Sequence, residues 1–105
     1  MQVQVNTDTN IVGNEALAAE VEATVTKALR RFSGRVTRVE VHLSDESGAK
    51  HGQHDKRCMM EARVEGRQPT AVKCEAASLD QAVAGAVEKL KSSLASTVDR
   101  PRARR

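Results

Sequence analysis

The sequence predicts an α+β fold in the order β-α-β-β-β-α, a four-stranded mixed sheet with two helices packed on one face. Three observations carry this expectation. Four segments alternate apolar and polar residues with a period of two, the pattern of half-buried strands. Two longer segments repeat apolar residues at spacings of three and four, the pattern of helices with one buried stripe. Every strand has one apolar and one charged face, so a single sheet layer covered on one side satisfies all of them.

The first strand is expected over residues 2–7, with Val3 and Val5 on one face and Gln2 and Gln4 on the other. Residues 8–14 carry turn chemistry with Gly13, and Asn14 is the expected helix N-cap, with Glu15 in the first turn. An amphipathic helix is expected over residues 15–32, with Leu17, Val21, Val25, Ala28, Leu29 and Phe32 on its buried side. Glu15, Glu20 and Glu22 occupy its first half, and Lys27, Arg30 and Arg31 its end, which suits the helix dipole. Gly34 is the expected stop.

A second strand over residues 36–44 turns Val39, Val41 and Leu43 inward and Arg38, Glu40 and His42 outward. Residues 45–55 are polar, contain Gly48 and Gly52, and read as a long, mobile hairpin loop. The third strand, residues 56–65, points Cys58, Met60, Ala62 and Val64 inward and Arg57, Met59, Glu61, Arg63 and Glu65 outward. After Gly66-Arg67-Gln68-Pro69, the fourth strand has Thr70, Val72 and Cys74 inward and Lys73 and Glu75 outward. Directly opposed residues share a face, so Val64 requires an even-numbered partner such as Thr70, and the loop between them an odd number of residues.

Ser78 is the expected N-cap of the last helix, with Asp80 in its first turn. Leu79, Ala82, Val83, Ala86, Val87, Leu90 and Leu94 form the buried stripe. Gly85 weakens this helix by about 1 kcal/mol relative to Ala. Its missing side chain is expected to allow a close approach to a neighbour. The first strand, first helix and second strand make a parallel, right-handed unit.

The 105 residues allow one core, expected as a single domain over residues 1–98 followed by a basic, disordered tail over residues 99–105. The net charge of +3 belongs to that tail, because residues 1–98 hold 13 basic and 13 acidic side chains. A binding surface on the body must therefore come from uneven placement of charge. No run reaches the roughly 18 apolar residues of a membrane span. The N-terminus lacks the basic and apolar regions of a secretory signal, so a cytoplasmic protein is expected. Cys58 and Cys74 lack CxxC spacing and read as small buried free thiols.

Phe32 is the sole aromatic residue, which argues against recognition of bases by stacking. Nucleic acid would be bound through phosphates and shape. His51 and His54, near Asp45 and Asp55, do not have the spacing of a zinc module, and no metal or other cofactor is expected. No nucleophile and base are grouped in a readable way, so the chain is not expected to be an enzyme.

The densest basic window is 27–38, with Lys27, Arg30, Arg31, Arg35 and Arg38 and no acidic residue. Lys89 and Lys91 are expected to extend this patch if the helices pack side by side, against the local opposition of Glu88. The outer sheet face mixes both signs, as cross-strand ion pairs on a wet surface do.

The runs 35–44 (RVTRVEVHLS) and 56–72 (KRCMMEARVEGRQPTAV) and the helix SLDQAVAGAVEKLKSSL resemble the ribosome hibernation-promoting factor and ribosome-associated inhibitor family. That family is also called the sigma-54 modulation proteins. The resemblance covers about residues 1–95. It implies a fold like a double-stranded-RNA-binding domain with an extra strand. It further implies binding to the small ribosomal subunit through rRNA, in the channel of messenger and transfer RNA, with inhibition of translation in stationary phase or stress. The rRNA-binding residues it implies here are Lys27, Arg30, Arg31, Arg35, Arg38, Lys89 and Lys91. The implied partners are the small subunit and its rRNA, with no membrane or small-molecule substrate, and a monomer away from the ribosome. The chain ends soon after the last helix and has a short arginine-rich tail, which resembles the short, hibernation-promoting subtype. Many members carry an aromatic residue near the start of the last helix, where this sequence has Leu79-Asp80-Gln81-Ala82. The alternative is a generic double-stranded-RNA-binding module acting on other RNA.

Overall fold

The computed structural model describes residues 1–8, 11, 14–45 and 55–99. Its elements are β1 (Gln2–Thr7), α1 (Asn14–Ala28), a 3-10 turn (Arg30–Phe32), β2 (Val36–Asp45), β3 (Lys56–Val64), β4 (Thr70–Ala76) and α2 (Leu79–Asp99). The order β-α-β-β-β-α is the expected one. The sheet runs β1-β2-β3-β4, with β1 parallel to β2 and the other pairs antiparallel. The expectations for the 45–55 loop, for most of the turn before α1, for the Asn14 side chain and for the arginine-rich end lie largely outside the described residues.

The inward faces of the strands and the apolar stripes of both helices form one buried cluster. Val25 and Leu29 from the first helical segment, Val41 and Met60 from the sheet, and Leu90 and Leu94 from α2 are all fully buried in it. Val72 and Cys74 face the same way but are half-buried, because β4 is an edge strand. Ser78 caps α2 as its position predicts, its hydroxyl accepting from the Gln81 N–H at 3.1 Å. The close approach expected of Gly85 is made against β4. A Cβ added at Gly85 would lie 2.4 Å from Cys74 Sγ and 3.4 Å from Cys74 Cβ. The first part of α2 therefore lies tight against the sheet through Ala82, Gly85 and Ala86, and the larger Leu90 and Leu94 fill the space further along.

Three local expectations are corrected. The α-helix ends at Ala28 and a 3-10 turn follows, so residues 15–32 are not one α-helix. Leu29, with φ −101° and ψ 17°, marks the change. From there, bonds of the i+3 type satisfy carbonyls that an abrupt helix end would leave without partners: Phe32 N–H to Leu29 O at 2.8 Å and Ser33 N–H to Arg30 O at 3.1 Å. Gly34 consequently needs no left-handed conformation; Gly66, at φ 77°, is the sole described residue with positive φ. Gly66 sits in the turn closed by the Arg67 N–H donating to Val64 O at 3.0 Å, where a side chain would be strained. The parity expected of the last hairpin is observed, but Thr70 pairs with Ala62, and Val64 lies beyond the part of β3 that pairs with β4.

Cys58 and Cys74 are free and directly opposed on β3 and β4. Burial, and secondarily the neighbouring Cys74, pushes the Cys58 thiol up to about 12. The unfolded chain exposes a thiol ionising near 8.5 or so. The stability this difference contributes is fully present below that pH and is lost as pH rises toward 12. In that window the slope is at most about 1.4 kcal/mol per pH unit. Chemical denaturation from pH 7 to 11 should show a shallower alkaline decline for Cys58→Ala than for the parent chain. Equal slopes would mean that Cys58 is not held protonated by the fold.

Candidate nucleic-acid interface

Topology gives the molecule two chemically different ends. Both helices run antiparallel to β1, β2 and β4, so they run in the same direction as each other. Glu20, Val21 and Thr24 of α1 line a common cleft with Asp80, Val83 and Ala84 of α2. The helix starts, the ends of β1 and β2 and the start of β3 lie at one end, which carries Asp8, Glu15, Asp45, Asp55 and Asp80. The end of α1, the 3-10 turn, the start of β2 and the β3–β4 turn lie at the other, which collects Lys27, Arg30, Arg31, Arg35, Arg38, Arg63 and Arg67.

The cations differ in how they are neutralised. Away from the basic end, Lys56 pairs with Asp45 at 3.3 Å and Arg57 with Glu75 at 2.9 Å. Lys27, Arg30, Arg35 and Arg63 are exposed and form no ion pair among the described residues. Lys27 and Arg30 share the outer face of the first helical segment with Ala19, Ala23 and Thr26 and with the exposed carboxylate of Glu22, forming a shallow surface that two cations dominate. A phosphate can approach such a surface without displacing bulk, and the basic residues need not first be released from acidic partners. Arg31 is committed differently, its guanidinium lying 4.6 Å from the centre of the Phe32 ring. Phe32 is buried, so the single aromatic ring is unavailable for stacking on a base.

The sequence-predicted residues are only partly brought together. Lys27, Arg30, Arg31 and Arg35 form a continuous stretch around the end of α1. Arg38 lies on the open sheet face, paired with Glu40 at 3.0 Å and donating to Gln4. Lys89 does not extend the helix patch. It faces the outer edge of the sheet, where its ammonium donates to the Lys73 carbonyl at 2.8 Å. Lys91, on the flank nearer α1, is 3.8 Å from Glu88. Residues two apart on a helix are turned by about 200°, so Lys89 and Lys91 cannot share a face. Sequence reasoning set Arg63 aside within the mixed-charge sheet face and did not single out Arg67 in the turn, because the nearness of both to Arg35 depends on the ladder between β2 and β3. The Glu65 N–H donates to Arg35 O at 3.0 Å, fixing that nearness.

Among the described residues no group of His, Cys, Asp and Glu could hold a metal ion. The described helices include none long and apolar enough to cross a membrane.

This layered fold places the chain among small α+β domains, and solved structures share it. It is similar to the N-terminal domain of Protein Y from Thermus thermophilus, with a TM-score of 0.72, 23% identity, and coverage of 92% of this chain and 99% of that one. It is also similar to a ribosomal subunit interface protein from Coxiella burnetii, with a TM-score of 0.71, 14% identity, and coverage of 95% and 100%. No curated protein sequence matches it. The chain belongs to the sigma 54 modulation protein / S30EA ribosomal protein family, whose model matches residues 3–102. It is thus a member of a family of ribosome-associated proteins, as the resemblance implied.

Proposed function

We propose that this protein is a cytoplasmic hibernation factor that binds the small ribosomal subunit through rRNA phosphates and inhibits translation in stationary phase or stress. The observation that carries the reading is the cluster of exposed cations Lys27, Arg30 and Arg35 at one end of the domain, which form no ion pair among the described residues, whereas Lys56 and Arg57 at the other end are paired. Membership of the family supports a ribosomal partner for that cluster. Phosphate recognition needs positive charge in a fixed array and neither a cofactor nor a catalytic group. The protein acts by occupancy: an rRNA-bound domain in the channel of messenger and transfer RNA excludes both.

Ribosome profiles on sucrose gradients test this reading. The protein should migrate with small subunits and with whole ribosomes, and translation in a cell-free system should fall as it is added. Migration at the top of the gradient, together with tight binding to free duplex RNA, would replace this reading with that of a general RNA-binding module.

A further inference from the structure

The sheet carries a bulge at its basic end. Val36 pairs with Val64 and Arg38 with Arg63, so Thr37 is an extra residue on β2. In an unbroken ladder from Val36, Arg38 would oppose Ala62 and share its buried face. The bulge turns Arg38 to the open face instead. The Thr37 hydroxyl donates to the Arg63 carbonyl at 3.2 Å and holds the two strands in this arrangement.

The consequence is an array of guanidinium groups on the side of the domain away from the helices. Arg38 and Arg63 are directly opposed, a like-charge pairing that is unfavourable by itself. Glu40 offsets Arg38 at 3.0 Å. Arg63 has no such partner among the described residues, although Glu61 and exposed Glu65 stand two positions away on either side. Exposed Arg35, in the connection between the 3-10 turn and β2, bridges this corner to Arg30 on the helix side.

We propose that Arg63, with Arg35 beside it, forms a second phosphate subsite on the open sheet face. An RNA backbone held by Lys27 and Arg30 then bends round the end of the domain and is gripped from both sides. Thr37 is a positioning residue, acting through the strand that carries Arg63. The proposal rests on the small-subunit reading above and extends it to a face that has no helix.

The test measures affinity of the full chain for purified small ribosomal subunits across a salt series. Arg63→Gln should lower the slope of log affinity against log salt by about 0.7–0.9, the loss of one phosphate contact. Arg63→Lys, which keeps the charge, should retain the slope. Lys73→Gln removes another exposed charge from the same sheet face and should change nothing. If Arg63→Gln keeps the parent slope while Arg30→Gln loses it, the sheet subsite is wrong and the small-subunit reading stands. If Lys73→Gln loses as much as Arg63→Gln, the attraction is diffuse and no subsite exists. If the parent chain does not bind small subunits, both readings fall together.

Discussion

Replacing Lys27 and Arg30 together by glutamine should weaken binding to small ribosomal subunits by about a hundredfold, from about 1.5 kcal/mol per lost charged contact. The slope of log affinity against log salt should fall by about 1.4–1.8, because each phosphate neutralised contributes 0.7–0.9 or so. These two residues are the cleanest choice. They lie together on the outer face of the first helical segment and have no ion pair to break among the described residues. Arg31 is less suitable, since its guanidinium covers the Phe32 ring and its removal also disturbs packing. Removal of residues 102–105 is the matching control and should cost less, since the proposed site lies on the first helical segment. Normal binding by the double variant, with loss on removing the arginine-rich end, would move the site away from the helix.

Leu90→Ala should lower stability by about 2–5 kcal/mol, a large share of the roughly 5–15 kcal/mol typical of a domain. Leu90 has no exposed surface and stands where α2 changes from small to large buried residues. Gly85 against Cys74 holds the helix close to the sheet, so the helix cannot readily settle into the space an alanine would leave. The thermal midpoint should drop by roughly 4–8 °C for each kcal/mol lost. The Lys27/Arg30 double variant should change stability by no more than about 0.5 kcal/mol per site, as exposed substitutions do. A loss below about 1 kcal/mol for Leu90→Ala, measured by urea denaturation, would show that the helix can collapse onto the vacated site.

The two variants separate folding from binding, and the sequence shows these two layers with unequal clarity. The core was legible because burial acts through local periodicity. Val39, Val41 and Leu43 alternate with charged residues, and Val83, Val87, Leu90 and Leu94 recur at helical spacing, so each segment carries its own record of which side is dry. Ser78 was legible for the same reason, since a cap acts within one turn of chain. The basic window from Lys27 to Arg38 was visible as a run of like charge.

Tertiary structure alone decided which of those cations stand together unneutralised. Ion pairing is set by distances between strands: Arg57 meets Glu75 across the ladder, whereas Arg63, with the same kind of sequence neighbours, has no such partner among the described residues. Lys89 and Lys91 looked equivalent by composition, but helix rotation sends one to the edge of β4 and leaves the other on the opposite flank. The Thr37 bulge shifts the register by one residue, so that Val36 is buried although it shares the parity of outward-facing Arg38, an outcome that depends on how β2 pairs with β3. Periodicity thus determined the fold, because it follows from contacts that repeat along a single segment. The charged site was decided by the assembled sheet, because electrostatic neutralisation acts between residues that the sequence keeps far apart.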